Sequence, residues 1–168
     1  MADPFEEVEE LCDAYLEEVW RRLSSQELVP CSQIERDKIP EEAGIYEFSP
    51  NNEGKAYYGE TDNFRRRIWK NHIAGKQRNS TFRRGTISPE INSEDEGAIS
   101  DAIREGYSAR WLPLKLGRKE AETYVKNQQE IKIQRLAALH RIQERRNSYI
   151  VTGKETDSLT LLREDRDR

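Results

Sequence analysis

Gly44-Ile45-Tyr46-Glu47-Phe48, then Tyr57-Tyr58-Gly59, then Asn63-Phe64-Arg65-Arg66-Arg67 and finally His72 form the stretch from which the rest of the chain is read. The first two runs are separated by Ser49-Pro50-Asn51-Asn52-Glu53-Gly54, a dense cluster of turn formers. They therefore predict two short strands, 44–48 and 56–59, joined in a hairpin by a loop of about six residues. A helix over about 62–74 follows, with Thr61 or Asp62 as cap and Gly75 as stop. Side chains alternate along a strand, so Tyr57 and Tyr58 face opposite sides of the sheet. Tyr58 is assigned to packing, which leaves the hydroxyls of Tyr46 and Tyr57 to converge beside Arg67. Two phenols and a guanidinium on a rigid hairpin and helix suit the gripping of a phosphodiester.

Outward from this centre, residues 4–24 read as an amphipathic helix. Phe5, Val8, Leu11, Tyr15, Val19 and Leu23 recur at helical spacing among glutamates, and Asp3-Pro4 supplies start chemistry. A polar connector over 25–42 ends at Ile39-Pro40, where the proline holds the chain extended. Downstream, Ser93 and Glu96 have the spacing of a capping box for a helix that buries Ile99, Ala102 and Ile103. Residues 108–116 predict a third strand, placed at an edge or bulge because of Pro113. A long helix over 118–146 follows, with Ala121, Val125, Ile131, Leu136, Leu139 and Ile142 along one stripe. The chain divides into an acidic helix and connector over 1–38, a central domain over 39–149 and a charged tail over 150–168.

Of the 168 residues about 35% are apolar and 36% charged, which allows one compact domain with a modest core. No run approaches the roughly 18 apolar residues of a membrane span, and the acidic start is unlike a secretory signal. A cytoplasmic protein with access to DNA is expected. Cys12 and Cys31 lack metal-ligand spacing and read as buried or incidental thiols of a reducing compartment. The net charge of −4 hides an uneven distribution. Residues 1–44 hold 13 acids and 4 bases, whereas 64–88 hold Arg65, Arg66, Arg67, Lys70, Lys76, Arg78, Arg83 and Arg84 with no acid. Such a block can supply phosphate contacts and counterion release despite the acidic total. All of these bases except Arg67 are assigned to DNA binding.

In these residues the chain resembles the GIY-YIG nuclease superfamily. Gly44-Ile45-Tyr46 matches the first half of the name pattern; Tyr57-Tyr58-Gly59 matches the second, with tyrosine in place of isoleucine. Arg67 stands eight residues after Gly59, as the family arginine does, and His72 matches a histidine common shortly after it. The similarity is specific over about 39–84 and rests on element order over 93–135. It implies an α+β fold, with a small three-stranded antiparallel sheet flanked by helices; the N-terminal amphipathic helix is an addition to it.

The resemblance also implies a metal-dependent DNA endonuclease of restriction or repair type, with one Mg²⁺ (or Mn²⁺) held by a glutamate on the helix after the third strand. Glu122 is favoured for that ligand, with Glu130 as second choice. By family analogy Tyr46 or Tyr57 orients or deprotonates the attacking water. Tyrosine titrates near 10 in isolation, so a base role needs a nearby cation. Arg67 could supply it and also bind the phosphate by its fork. His72 is the alternative base or a phosphate ligand. The competing function is a nucleic-acid-binding module that has lost catalysis and acts with partners. The N-terminal helix is a candidate surface for a homodimer.

Overall fold

The computed structural model describes residues 4–152, which packing divides into two units between Asn127 and Gln128. The first contains α1 (Pro4–Ser25), β1 (Val29–Pro30), β2 (Gly44–Pro50), β3 (Tyr57–Thr61), a π-helix (Arg65–Ile73), a π-turn (Arg83–Ile87), α2 (Ser88–Ile91), α3 (Glu96–Gly106), β4 (Tyr107–Pro113) and the start of α4 (Arg118–Thr152). Asp3, expected in the helix start, and residues 153–168 of the expected 150–168 tail lie outside the described residues, while 150–152 continue α4 and are not tail. Among the described residues no helix is long and apolar enough to cross a membrane.

The sheet has four strands in the order β1-β4-β2-β3, all pairs antiparallel, where three strands were expected. The extra strand is β1, which pairs Val29 with Ala109 and Pro30 with Ser108 inside the segment read as connector. With β1 on one side and β2 on the other, β4 is an internal strand, not an edge. Pro113 is tolerated there because it is the last residue of β4, opposite Gly44, where a missing N–H only ends the ladder.

Two glycines make the hairpin possible. A Cβ on Gly44 would lie 2.2 Å from the Leu112 carbonyl oxygen and 2.5 Å from the Phe64 ring. A Cβ on Gly59 would lie 2.3 Å from the Tyr46 hydroxyl, because Gly59 is the register partner of Tyr46 and the ring lies across it. The two glycine positions of the motif are thus close-approach positions, one for the sheet and one for the tyrosine.

Strand alternation sends side chains to two cores. Tyr46, Phe48, Tyr107 and Ala109 pack with Ile68, Ile73, Phe82, Ile87, Ile99 and Ile103 on one face. Ile45, Tyr58 and Leu112 pack with Val19 and Leu23 of α1 and Ala121 and Val125 of α4 on the other. Tyr58 does face away from Tyr57. Cys31 is buried, which pushes its thiol up to about 12, and Cys12 is exposed. The outer half of α1 keeps Val8 and Leu11 exposed.

Two helix details differ from the sequence pattern. The cap of α3 is Asp95, which accepts the Ala98 N–H at 2.7 Å. Ser93 instead accepts the Asp95 N–H, and Glu96 turns to Gln77 and Arg83. The stripe along α4 also divides. Ala121 and Val125 are core, whereas in the second unit Leu136, Leu139 and Ile142 are more than half exposed.

Candidate active site

Tyr46 leaves β2 on the larger-core face, completely buried, with its ring over Gly59. Its hydroxyl oxygen is met by Arg67 Nε at 3.1 Å and by His72 Nε2 at 2.8 Å. The two partners lie five residues apart on the Arg65–Ile73 helix. An α-helix would set residues five apart about 140° around its axis. This helix is π-type, closed by a bond from the Ala74 N–H to the Trp69 carbonyl, and i→i+5 bonding brings residues five apart onto nearly one face. The wider turn therefore aims both side chains at one phenol. Sequence periodicity predicted an ordinary helix here, and the difference makes the site.

The far nitrogen of the imidazole, His72 Nδ1, lies 2.7 Å from Ser80 Oγ, which also accepts the Arg83 N–H at 3.0 Å. The Arg83 side chain is itself wholly buried. It donates to the His72 and Ile73 carbonyls, the Glu96 carbonyl and carboxylate, and Ser100 Oγ. Tyr57, half-buried, meets Thr81 Oγ1 at 2.7 Å, and its ring centroid is 6.4 Å from that of Tyr46 and 5.9 Å from that of His72.

Burial governs the protonation states. It holds His72 down to about 3, helped by the Arg67 and Arg83 guanidinium groups, so the imidazole is neutral. It pushes the Tyr46 phenol upward, as do Tyr57 and the charge of Glu122, while Arg67 pulls it back. For Arg67 burial works against the charge, but Tyr46 and Tyr57 more than offset it and raise its pKa.

Tyr46, Tyr57, Arg67 and His72 are thus gathered at one place, within reach of the Glu122 charge. Glu122 stands on α4 next to the buried Ala121, about a quarter exposed, with its carboxylate 2.6 Å from Lys126 Nζ. Glu130 belongs to the second unit.

Of the basic block, Lys70, Lys76, Arg78 and Arg84 are exposed, as is Arg66 in its ion pair with Asp62. Arg65 is turned onto the connector, donating to the Ile39 carbonyl and Glu41. Arg83 corrects the expectation of a DNA contact: a side chain with no exposed surface and five acceptors is a strut, not a groove residue. Ser80, Thr81 and the internal role of Arg83 were not foreseen. The sole local hint was Phe82 and Ile87 bracketing Arg83, since its acceptors lie on other elements.

The model of the GIY-YIG catalytic domain matches residues 42–134. The chain belongs to the GIY-YIG family. No curated protein and no solved structure matches it. The GIY-YIG match covers β2 through the first part of α4 and includes Tyr46, Tyr57, Arg67, His72 and Glu122; α1 and β1 precede it. The family supports a nuclease-type hydrolase acting on DNA, and GIY-YIG nucleases are in general divalent-metal dependent. Among the described residues no three His, Cys, Asp or Glu side chains gather as a metal cluster. A lone Glu122 carboxylate fits Mg²⁺, which takes one or two carboxylates and keeps several waters.

Proposed function

We propose that the chain is a divalent-metal-dependent DNA endonuclease of the stand-alone restriction or repair type. The observation that carries this is the convergence of Arg67 Nε and His72 Nε2 on the Tyr46 hydroxyl oxygen. Tyr46, as its phenolate, accepts the proton of the attacking water and becomes the neutral phenol. Burial, Tyr57 and Glu122 raise the phenol's pKa overall, and the Arg67 guanidinium is the group that works for the phenolate. His72, neutral and bonded to the phenol, is a positioning residue acting through Tyr46. Arg67 carries the positive charge and offers its fork to the scissile phosphate. Tyr57 orients the water or the phosphate from the adjacent strand. Glu122 would hold Mg²⁺ or Mn²⁺, which when bound supplies charge to the non-bridging oxygen and the leaving 3′ oxygen. Arg66, Lys70, Lys76, Arg78 and Arg84 contact the DNA backbone, where each phosphate contact makes affinity more salt-dependent.

A second reading, a binding module without catalysis, draws on the Lys126 ammonium that occupies the Glu122 carboxylate. Supercoiled plasmid decides between them. Wild type with Mg²⁺ or Mn²⁺ should nick it, and EDTA or Glu122→Ala should reduce nicking by at least about a hundredfold. Plasmid binding with no nicking under any divalent ion would favour the module. An active Glu122→Ala beside a dead Glu130→Ala would move the metal ligand and keep the enzyme.

A further inference from the structure

Two helical stretches leave rows of apolar side chains in solvent, and their charges are opposite. From Tyr15 onward α1 is tied to its own unit. The Tyr15 hydroxyl donates to the Leu116 carbonyl at 2.8 Å, and Val19 and Leu23 are core. Before Tyr15, Val8 and Leu11 are exposed, as is the Cys12 thiol. Their spacings of three and four residues place these side chains on one side of the helix, in line with Tyr15. Residues 5–14 hold five acids, Glu6, Glu7, Glu9, Glu10 and Asp13, and no base. At about 100° per residue, Glu7 and Glu9 flank the row, one on each side.

In the second unit α4 runs on to Thr152 with Ile133, Leu136, Leu139 and Ile142 exposed. Spaced by three, they form a row that winds slowly round the helix. Residues 128–147 hold five bases, Lys132, Arg135, Arg141, Arg145 and Arg146, and two acids, Glu130 and Glu144, which leaves a net charge of +3 with His140 neutral. Lys132 stands one turn before Leu136 and Arg135 one turn before Leu139, and both bases are exposed beside the row. Helices in proteins draw most of their stability from packing an apolar face, so each row calls for a cover.

Charge decides what the cover is. Pairing α1 with α1 of another copy would set five acids against five. Pairing the ends of two α4 helices would set +3 against +3. Crossed pairing sets acids against bases. We propose that the acidic apolar row of α1 in one copy packs on the basic apolar row of α4 in a second copy, and that twofold symmetry makes two identical contacts in one dimer. Val8, Leu11, Leu136 and Leu139 supply the apolar centre that drives association. Glu7 and Glu9 facing Lys132 and Arg135 at the rim select the partner and its register. The proposal stands apart from the nuclease reading, since none of these residues belongs to the Tyr46 site.

Sedimentation equilibrium of the full chain at micromolar concentration should give the mass of two chains. Glu7→Lys with Glu9→Lys puts like charges across both contacts, as does Lys132→Glu with Arg135→Glu. Each double substitution should raise the dimer Kd at least about a hundredfold, with circular dichroism confirming that the helices are kept. Mixed together, the two variants should recover a two-chain species, because in the hybrid both contacts again join opposite charges. A measurement on wild type alone stands beside these. Carbodiimide coupling in a mixture of ¹⁴N- and ¹⁵N-labelled chains should yield mixed-label peptides that join an α1 carboxylate to Lys132. A monomeric wild type would overturn the proposal. So would a dimer that survives either charge reversal, folded variants that stay monomeric when mixed, or Lys132 cross-links to α1 that never combine the two labels.

Discussion

On the α1 face of the sheet, the Glu47 carboxylate takes Arg110 Nε and Nη2, each at 2.7 Å, and Arg110 also donates to the Ser24 and Gln26 carbonyls. On the opposite face, one residue earlier in β2, the Tyr46 hydroxyl accepts from Arg67 Nε and meets Nε2 of the neutral His72. Both faces bury polar groups, but the bookkeeping differs. Glu47 and Arg110 answer each other across a cross-strand register pair, with opposite charges matched. Around Tyr46 a single guanidinium charge faces an uncharged phenol and a neutral imidazole. A cation beside a phenol does little for the neutral hydroxyl and much for the phenolate. The same strand thus carries a structural charge pair on one side and the proposed reactive centre on the other.

The largest effect should come from breaking the reactive side. Tyr46→Phe keeps the ring over Gly59 and removes the oxygen on which Arg67 and His72 converge. Plasmid nicking should fall about 10²- to 10⁴-fold, the range of a lost general base, with DNA affinity little changed. A Tyr46→Phe enzyme within a few-fold of wild type would shift the base to another group, with Tyr57 the next to test.

Breaking the structural side should cost stability and spare chemistry. Arg110→Ala leaves the Glu47 carboxylate, 3% exposed, without its cation, and removal of one partner of a buried pair costs about 3–5 kcal/mol. Denaturant unfolding should show that loss, while nicking per folded molecule stays near wild type. Glu47→Leu combined with Arg110→Met should recover much of the stability, because a buried pair replaced by apolar groups is often near neutral. If Arg110→Ala instead lost activity without losing stability, the two faces would not divide as described.

How far this division could be read in the sequence depended on whether its cause was local. The hairpin was legible because turn formers, strand alternation and two glycines all lie within 16 consecutive residues, from Gly44 to Gly59. Tyr46, Tyr57 and Arg67 followed from it. The π-helix was not legible. Nothing in the order Arg65-Arg66-Arg67-Ile68-Trp69 distinguishes i→i+5 from i→i+4 bonding, and without the wider turn Arg67 and His72 would not share a target. Arg83 misled for the opposite reason. In an acid-free run it looked like part of a phosphate-binding surface, but carbonyls from the end of the π-helix and from α3 drew it into the core. At two residues, β1 was too short to show an alternation of its own.

The smallest effect sharpens the comparison through pH. His72 is held down to about 3 by burial and by Arg67 and Arg83, whereas in the unfolded chain it titrates near 6.5. For a base whose folded value is depressed, the unfolded state binds more protons between those values. The native state thus has its full stability above about pH 6.5 and loses it as pH falls toward about 3. The slope from this one group is at most about 1.4 kcal/mol per pH unit. Carboxylates such as Asp62 and Glu96, also held low by their partners, add slope of the same sign in the acid range, so a difference measurement is required. His72→Gln, which does not titrate and whose amide can both donate and accept, should give a shallower fall than wild type between pH 6.5 and about 4. Equal slopes in the two proteins would mean that native His72 takes up a proton as readily as the unfolded chain does. A charged imidazole donates from both ring nitrogens, to Tyr46 and to Ser80 alike, so the contacts around His72 would then differ from those of the neutral ring.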